Sequence, residues 1–288
     1  MTRSSSLVKL GAQQRLQYQE KGYYYPIRVF ERSAAEKLQA LFLDYLEHHK
    51  HSLRGLPPRD HYFVLSQTHF LLRWIYGIVS HPEVLDAVES VLGPNIIVWS
   101  TQWFPKMPGD KTYVSWHQDA TYWGLHPPHV TTGWIALSES CVENGCMRVV
   151  PGTHKGPPLR QVETYAQDNV LSRGQEISVE VDESRAVNMA LQPGEMSLHH
   201  IGIIHGSNPN RSDKPRIGIA VRYITPEVVQ DGAARQMVLL VRGIDDFGHF
   251  ELVEPPHDDV ISDQDIAVHR EALRRLRTNI MPEESSPR

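Results

Sequence analysis

The stretch Ser115-Trp116-His117-Gln118-Asp119-Ala120-Thr121 puts an imidazole and a carboxylate two residues apart in strand-like surroundings. Side chains at i and i+2 of a strand leave the same face, so His117 and Asp119 are expected to converge on one point. Two donors do not hold a metal by themselves. A third candidate, His205, lies in Gly202-Ile203-Ile204-His205-Gly206-Ser207-Asn208-Pro209-Asn210-Arg211. Lys214-Pro215-Arg216 and the alternating run Ile217-Gly218-Ile219-Ala220-Val221-Arg222-Tyr223 follow it. Two imidazole nitrogens and one carboxylate on one face, with other positions open, form the donor set of a non-haem Fe(II) oxygenase.

Around this stretch the chain has the texture of a sheet protein. From Asn95 onward it consists of short alternating or β-branched runs bounded by Gly, Pro, Asn or Asp. Strands are expected near 95–104, 112–118, 130–138, 146–150, 176–182, 186–191, 195–200 and 216–224, after a first strand at 22–30. Eight or so strands without long intervening helices fit a mainly β, cupin-like jelly roll with flanking helices, and fit βαβ topology poorly.

The helices are expected at the ends. Ser33 and Glu36 suggest a capping box for a helix reaching His49, and residues 70–76 a buried helical turn. Pro82 and Gly93 bracket a helix over 82–92, and Ser262 with Asp265 caps one carrying Ile266, Leu273, Leu276 and Ile280. The segment 48–60 is expected to be a loop with solvated histidines, and the polar segment 159–173 a long loop over the barrel mouth. Residues after Met281 are expected to be disordered. The whole of 1–288 is expected to form one domain, with a core at about 16–225 and a helical extension at about 226–281.

Composition narrows the function. With 288 residues, 40% hydrophobic, the chain can bury a full core. A net charge of -5 with scattered Lys and Arg argues against nucleic-acid or membrane surfaces, leaving a small molecule as the expected partner. No apolar run reaches membrane-span length and the start is polar, so a soluble, cytoplasmic protein is expected. Cys141 and Cys146 are the only cysteines, too few for a disulfide framework or a cysteine-rich zinc site.

The chain resembles the phytanoyl-CoA dioxygenase family of Fe(II)/2-oxoglutarate-dependent oxygenases. The resemblance is carried by residues 115–119, by Gly145-Cys146-Met147-Arg148-Val149-Val150-Pro151-Gly152-Thr153-His154, by Gln192-Pro193-Gly194-Glu195, and by 205–216. It implies a double-stranded β-helix in which His117, Asp119 and His205 bind Fe(II). It further implies that Arg216 grips the distal carboxylate of 2-oxoglutarate, with Ser207 hydrogen-bonded to it and Trp134 nearby. The implied reaction consumes O2 and 2-oxoglutarate, releases succinate and CO2, and hydroxylates an unactivated C–H. Halogenating relatives replace the carboxylate with a small residue, so Asp119 favours hydroxylation or an allied desaturation or epoxidation.

Residues next to the ligands or in the expected lid are candidates to face the substrate: Gln102, Tyr122, Trp123, His126, His199 and His200, with Trp116 expected to turn away. Their polar and aromatic character suggests a small polar metabolite. Two other readings stay open at this point: a metal-dependent cupin enzyme that does not use 2-oxoglutarate, and a catalytically silent barrel acting as a binding module.

Overall fold

The computed structural model describes residues 8–53, 61 and 65–280. Helix α1 (Ala12–Lys21) leads into strand β1 (Tyr23–Arg28), followed by α2 (Arg32–Leu53), α3 (Arg73–Val79) and α4 (Pro82–Leu92). Then come β2 (Ile96–Trp103), β3 (Val114–His117), the one-turn helix α5 (Ala120–Trp123), β4 (Leu125–His126), β5 (Val130–Ala136) and β6 (Met147–Val150). A hairpin of β7 (Gln161–Glu163) and β8 (Gln175–Ile177) precedes β9 (Val187–Asn188), β10 (Glu195–His200), β11 (Ile204–Ser207) and β12 (Gly218–Ile224). The chain finishes with β13 (Val229–Gln230), β14 (Met237–Arg242), β15 (Glu251–Leu252) and α6 (Asp263–Ile280).

Two sheets face each other as a jelly roll. The larger has the order β1-β10-β5-β12-β2-β14-β15, and the smaller β3-β11-β6-β9. Period-two alternation gives each central strand of the large sheet two different neighbourhoods. On β12, Ile219, Val221 and Tyr223 join a core with Phe42 of α2, Ile75 and Ile78 of α3, and Val84 and Val88 of α4. Each such buried side chain contributes about 1.5–3 kcal/mol. The opposite face of the same sheet carries Thr132, Trp134, His199, Ala220 and Arg222, which surround an internal cavity.

Local signals explain where several elements stop. Pro82 opens α4 and Gly93 closes it at φ 95°, as their chemistry predicts. In α6 the Ser262 hydroxyl accepts from the Asp265 N–H (3.1 Å) while the Asp265 carboxylate accepts from the Ser262 N–H (2.9 Å). That reciprocal pair is the expected cap.

Other expectations need correction. Helix α2 begins at Arg32, so Ser33 lies inside its first turn and Glu36 takes the Arg32 guanidinium at 3.0 Å. The helix also runs past His49 to Leu53, aided by Lys50 on Glu47 and by the His49 ring stacked 4.3 Å from Tyr45. The remainder of the expected 48–60 loop, residues 54–60, lies outside the described residues, as do the residues after Met281 expected to be disordered. The segment expected as a helical extension contains β14, which joins the large sheet beside β2. Its signal was obscured because both faces are covered: Leu239 joins the helix-side core while Val238 and Leu240 pack with Trp99, Trp123 and Leu276. A strand buried on both sides loses its alternation.

Two expected outcomes follow from this framework. A Cβ at Gly206, which faces the bulge in β3, would stand 2.9 Å from the Val114 carbonyl oxygen and 3.2 Å from that of Ser115. Gly206→Ala should therefore spread these strands at a cost of about 1–3 kcal/mol, read as a lower melting temperature and weaker divalent-metal binding.

Acid should destabilise the fold through histidines buried neutral. His69, fully buried with Nδ1 2.8 Å from Thr101 Oγ1, is pushed down to about 3 by burial and by His269. His200 is pushed down to about 4 by burial, His154 and His129. Below about pH 6.5 the unfolded chain binds protons that the folded chain refuses, so stability present above that pH is lost on acidification. Melting temperatures of the metal-free protein should fall from about pH 7 to about pH 4.5, and His69→Asn should flatten the decline. An unchanged slope in that variant would assign the loss to other groups.

Candidate metal centre

Strand register assembles the first two donors. His205 on β11 stands directly opposite His117 on β3, with ring centroids 4.1 Å apart. Asp119 arrives differently from the strand-parity expectation. β3 ends at His117, and Asp119 has helical backbone angles, φ -60° and ψ -37°, at the start of α5. The residue between them sets its aim. Gln118 turns outward, its amide donating to the Gly202 carbonyl (2.7 Å) and its Oε1 accepting from the Leu159 N–H (2.8 Å). The Ala120 N–H is held by the Ile201 carbonyl at 3.1 Å.

Asp119 Oδ1 thereby lies 3.4 Å from His117 Nε2 and Oδ2 lies 3.9 Å from His205 Nε2. The three donor atoms fall within 4.8 Å of one another, and all three residues are buried. Each imidazole is tied back at its other nitrogen: His117 Nδ1 to the Ser115 carbonyl at 2.9 Å, His205 Nδ1 to the Ile203 carbonyl at 3.1 Å. A carbonyl can only accept, so each Nδ1 carries a proton, and Nε2 is the ring nitrogen left to meet a metal on the Asp119 side. This is the outer tether that metal-binding histidines use.

Electrostatics agree with a cation site. Burial, reinforced by His117, pushes His205 down to about 4, which keeps it neutral near neutral pH. Burial pushes the Asp119 carboxyl up, but His205, His117 and Arg222 together outweigh it and hold the group below the usual carboxylate range. Two imidazole nitrogens and one carboxylate oxygen suit a divalent first-row ion such as Fe(II), and the rest of its sphere would open on the cavity. The donor set fits the implied metal.

The cavity wall carries further polar groups. Arg216, 2% exposed, donates through Nη1 to the Gly145 carbonyl and through Nη2 to the Phe104 carbonyl (3.2 Å), while its Nε has no partner. Its guanidinium lies 5.4 Å from the Trp134 ring centroid, and burial pushes it down to about 10. Ser207, on β11 one residue beyond Gly206, accepts a hydrogen bond from Lys106 Nζ at 2.8 Å. Lys106 is buried and pushed down to about 6 by burial and by Arg216. Because Ser207 Oγ accepts there, its own hydrogen is available to a further acceptor.

Of the residues expected near the substrate, Tyr122, Trp123 and His199 line this cavity. Gln102, His126 and His200 do not. Gln102 is held by the Ser66 hydroxyl, donates to the Trp103 carbonyl (3.0 Å), and lines an adjoining recess with Leu65 and Lys106. His126 is exposed, 3.7 Å from Asp231. His200 sits one residue past His199, hence on the other face of β10, where Nδ1 accepts from the Gly202 N–H at 3.0 Å. Trp116 packs outward, its indole N–H donating to Glu183 at 3.2 Å.

Other lining groups escaped the sequence reading. Thr132, Leu171, Ser172, Gln175 and Ile280 carry no sequence signal of their own. Arg222 did carry one, a lone charge in an apolar strand at the same parity as Arg216. The expected lid, 159–173, contributes its far end to the wall. There Arg173 pairs with Glu163 at 2.6 Å, donates to the Ile280 carbonyl, and lies 5.4 Å from the Tyr122 ring. His154, in the Pro-Gly-Thr-His turn, is 3.0 Å from the Gln19 carbonyl and so ties that turn to α1.

Comparison with known proteins places this geometry in a family. Residues 18–218 match the family model described as phytanoyl-CoA dioxygenase. The peroxisomal phytanoyl-CoA dioxygenase of Bos taurus is 34% identical over 151 residues, covering 49% of this chain and 43% of the bovine protein. A Stutzerimonas stutzeri protein named a probable alpha-ketoglutarate-dependent hypophosphite dioxygenase is 30% identical over 165 residues, 55% of this chain and 56% of that protein. The chain thus spans about half the length of the curated relatives it matches. A solved structure of the non-heme monooxygenase ThoJ, in its apo form, superposes with a TM-score of 0.81 at 32% identity, covering 93% of this chain and 97% of that one. With its jelly roll, its His-Asp-His cluster and a family match across 18–218, the chain belongs to the phytanoyl-CoA dioxygenase family.

Proposed function

We propose that this protein is an Fe(II)- and 2-oxoglutarate-dependent dioxygenase that hydroxylates an unactivated C–H of a small polar metabolite, releasing succinate and CO2. The observation that carries the reading is the cluster of His117, Asp119 and His205, tied back at both Nδ1 atoms and opening on a cavity whose wall holds the buried Arg216. The alpha-ketoglutarate dependence in the name of the Stutzerimonas relative supports the cosubstrate.

In this reading the two Nε2 atoms and the Asp119 carboxylate hold the ion, and Arg216 with the free hydroxyl hydrogen of Ser207 takes the far carboxylate of 2-oxoglutarate. The bound ion and cosubstrate supply O2 activation. Lys106 and the Gly145 and Phe104 carbonyls keep the Ser207 and Arg216 groups pointed, so little reorganisation is needed on binding. Trp134 walls the guanidinium. Tyr122, Trp123 and His199 face the space left for the metabolite, and Leu171 and Ile280 help to exclude water. Asp119 occupies the coordination position a halide would need, which favours hydroxylation over halogenation.

Anaerobic addition of Fe(II) and 2-oxoglutarate should produce the weak visible charge-transfer band of the chelate, and its absence would defeat the proposal. Asp119→Ala should lose both the band and turnover. Arg216→Ala should raise the 2-oxoglutarate requirement about 10- to 100-fold, measured by succinate release across a metabolite panel. An unchanged requirement would remove Arg216 from the cosubstrate site.

A further inference from the structure

The cavity holds a second buried arginine that the proposed reaction leaves unused. Arg222 is 5% exposed and lines the same wall as the three donors. Neither Nε nor Nη1 has a hydrogen-bond partner, and among the described residues Arg222 forms no ion pair. Its guanidinium lies 5.2 Å from the Trp123 ring centroid and 5.8 Å from that of Phe104. The aromatic neighbours flank the cation and leave its N–H groups for something else. A guanidinium stays protonated in proteins, and unfilled donors on a buried charge are costly.

Charge counting says what that something is, resting on the function proposed above. A doubly charged ion, the Asp119 carboxylate, dianionic 2-oxoglutarate and the Arg216 guanidinium cancel. Lys106 does not line this cavity, and its ammonium is turned to the Ser207 hydroxyl and the Asn208 carbonyl. Arg222 then remains as one uncompensated positive charge in a desolvated chamber. The near carboxylate of 2-oxoglutarate is already matched by the ion, so it does not remove this excess.

We infer that Arg222 is the receptor for a singly charged oxyanion of the primary substrate, a carboxylate or a phosphonate monoanion carried by a small molecule. Such a group would be held in a bidentate fashion on the guanidinium edge, which fixes the substrate relative to the metal. A bare cation or a neutral hydrocarbon would leave the excess charge in place and is disfavoured as a substrate.

The test uses the anaerobic protein loaded with Fe(II) and 2-oxoglutarate, titrated calorimetrically with acetate, propionate and methylphosphonate, with acetamide as the neutral control. Saturable binding of at least one anion, not of acetamide, is expected. It should weaken about tenfold or more in Arg222→Gln and be partly kept in Arg222→Lys. Melting curves establish that both variants fold. The better-bound anion distinguishes carboxylate from phosphonate. Three results would overturn the inference: no anion binds the loaded protein, Arg222→Gln binds as well as the parent, or that variant loses 2-oxoglutarate affinity to the same degree. Absence of the charge-transfer band would instead indict the cofactor assignment.

Discussion

The antiparallel register of β11 against β3 is the constraint on which this site rests. A one-residue slip would send every side chain of β11 to the other face and carry His205 out of the cavity. The register is held from both sides, since β11 also pairs with β6, with His205 opposite Val149. Ser207 follows His205 onto the cavity wall by strand parity, with Lys106 meeting it there, while β3 takes up an extra residue opposite Gly206. Asp119 is delivered by a separate device, the outward anchoring of Gln118 to Gly202 and Leu159. Two imidazole rings from strands and one carboxylate from a helix start thus meet without any one element carrying all three.

The second organising fact is how the large sheet divides its labour. One face is covered by α2, α3 and α4 with a largely apolar core, to which Tyr223 adds a hydrogen bond to the Val79 carbonyl. The other places Arg216 and Arg222 on the same strand side with only Ala220 and Gly218 between them at that parity. Arg216 meets its burial with the Gly145 and Phe104 carbonyls and the Trp134 ring, and Arg222 lies between the Trp123 and Phe104 rings.

Much of this was legible in the sequence where residue chemistry speaks locally. The His117-x-Asp119 pair, His205 and Arg216 could be singled out because few residue types carry such donors, and the fold brings all four to one cavity. The helix over 82–92 could be bounded because proline and glycine mark its ends. What failed was inference from proximity along the chain. His200 and Gln102 neighbour functional positions, yet parity puts the first on the opposite face and a bond from Ser66 pulls the second into an adjoining recess. β14 was hidden because two covered faces erase the alternation that marks a strand. Asp119 was placed correctly for a reason that does not hold, since the strand ends before it. Arg222 was readable in principle, from its parity with Arg216.

The last residue of α6 forms part of the chamber wall: Ile280 is buried there, its carbonyl taken by Arg173. The segment that matches the family model ends at residue 218, so both Ile280 and Arg222 lie beyond it. The residues that would hold the ion all lie inside the matched segment, whereas the chamber wall also draws on residues after it. A lineage can lengthen, shift or repack its terminal helix and admit a new molecule while the reactive half stays untouched. Membership of the family then speaks for the three donors and leaves open what enters beside them.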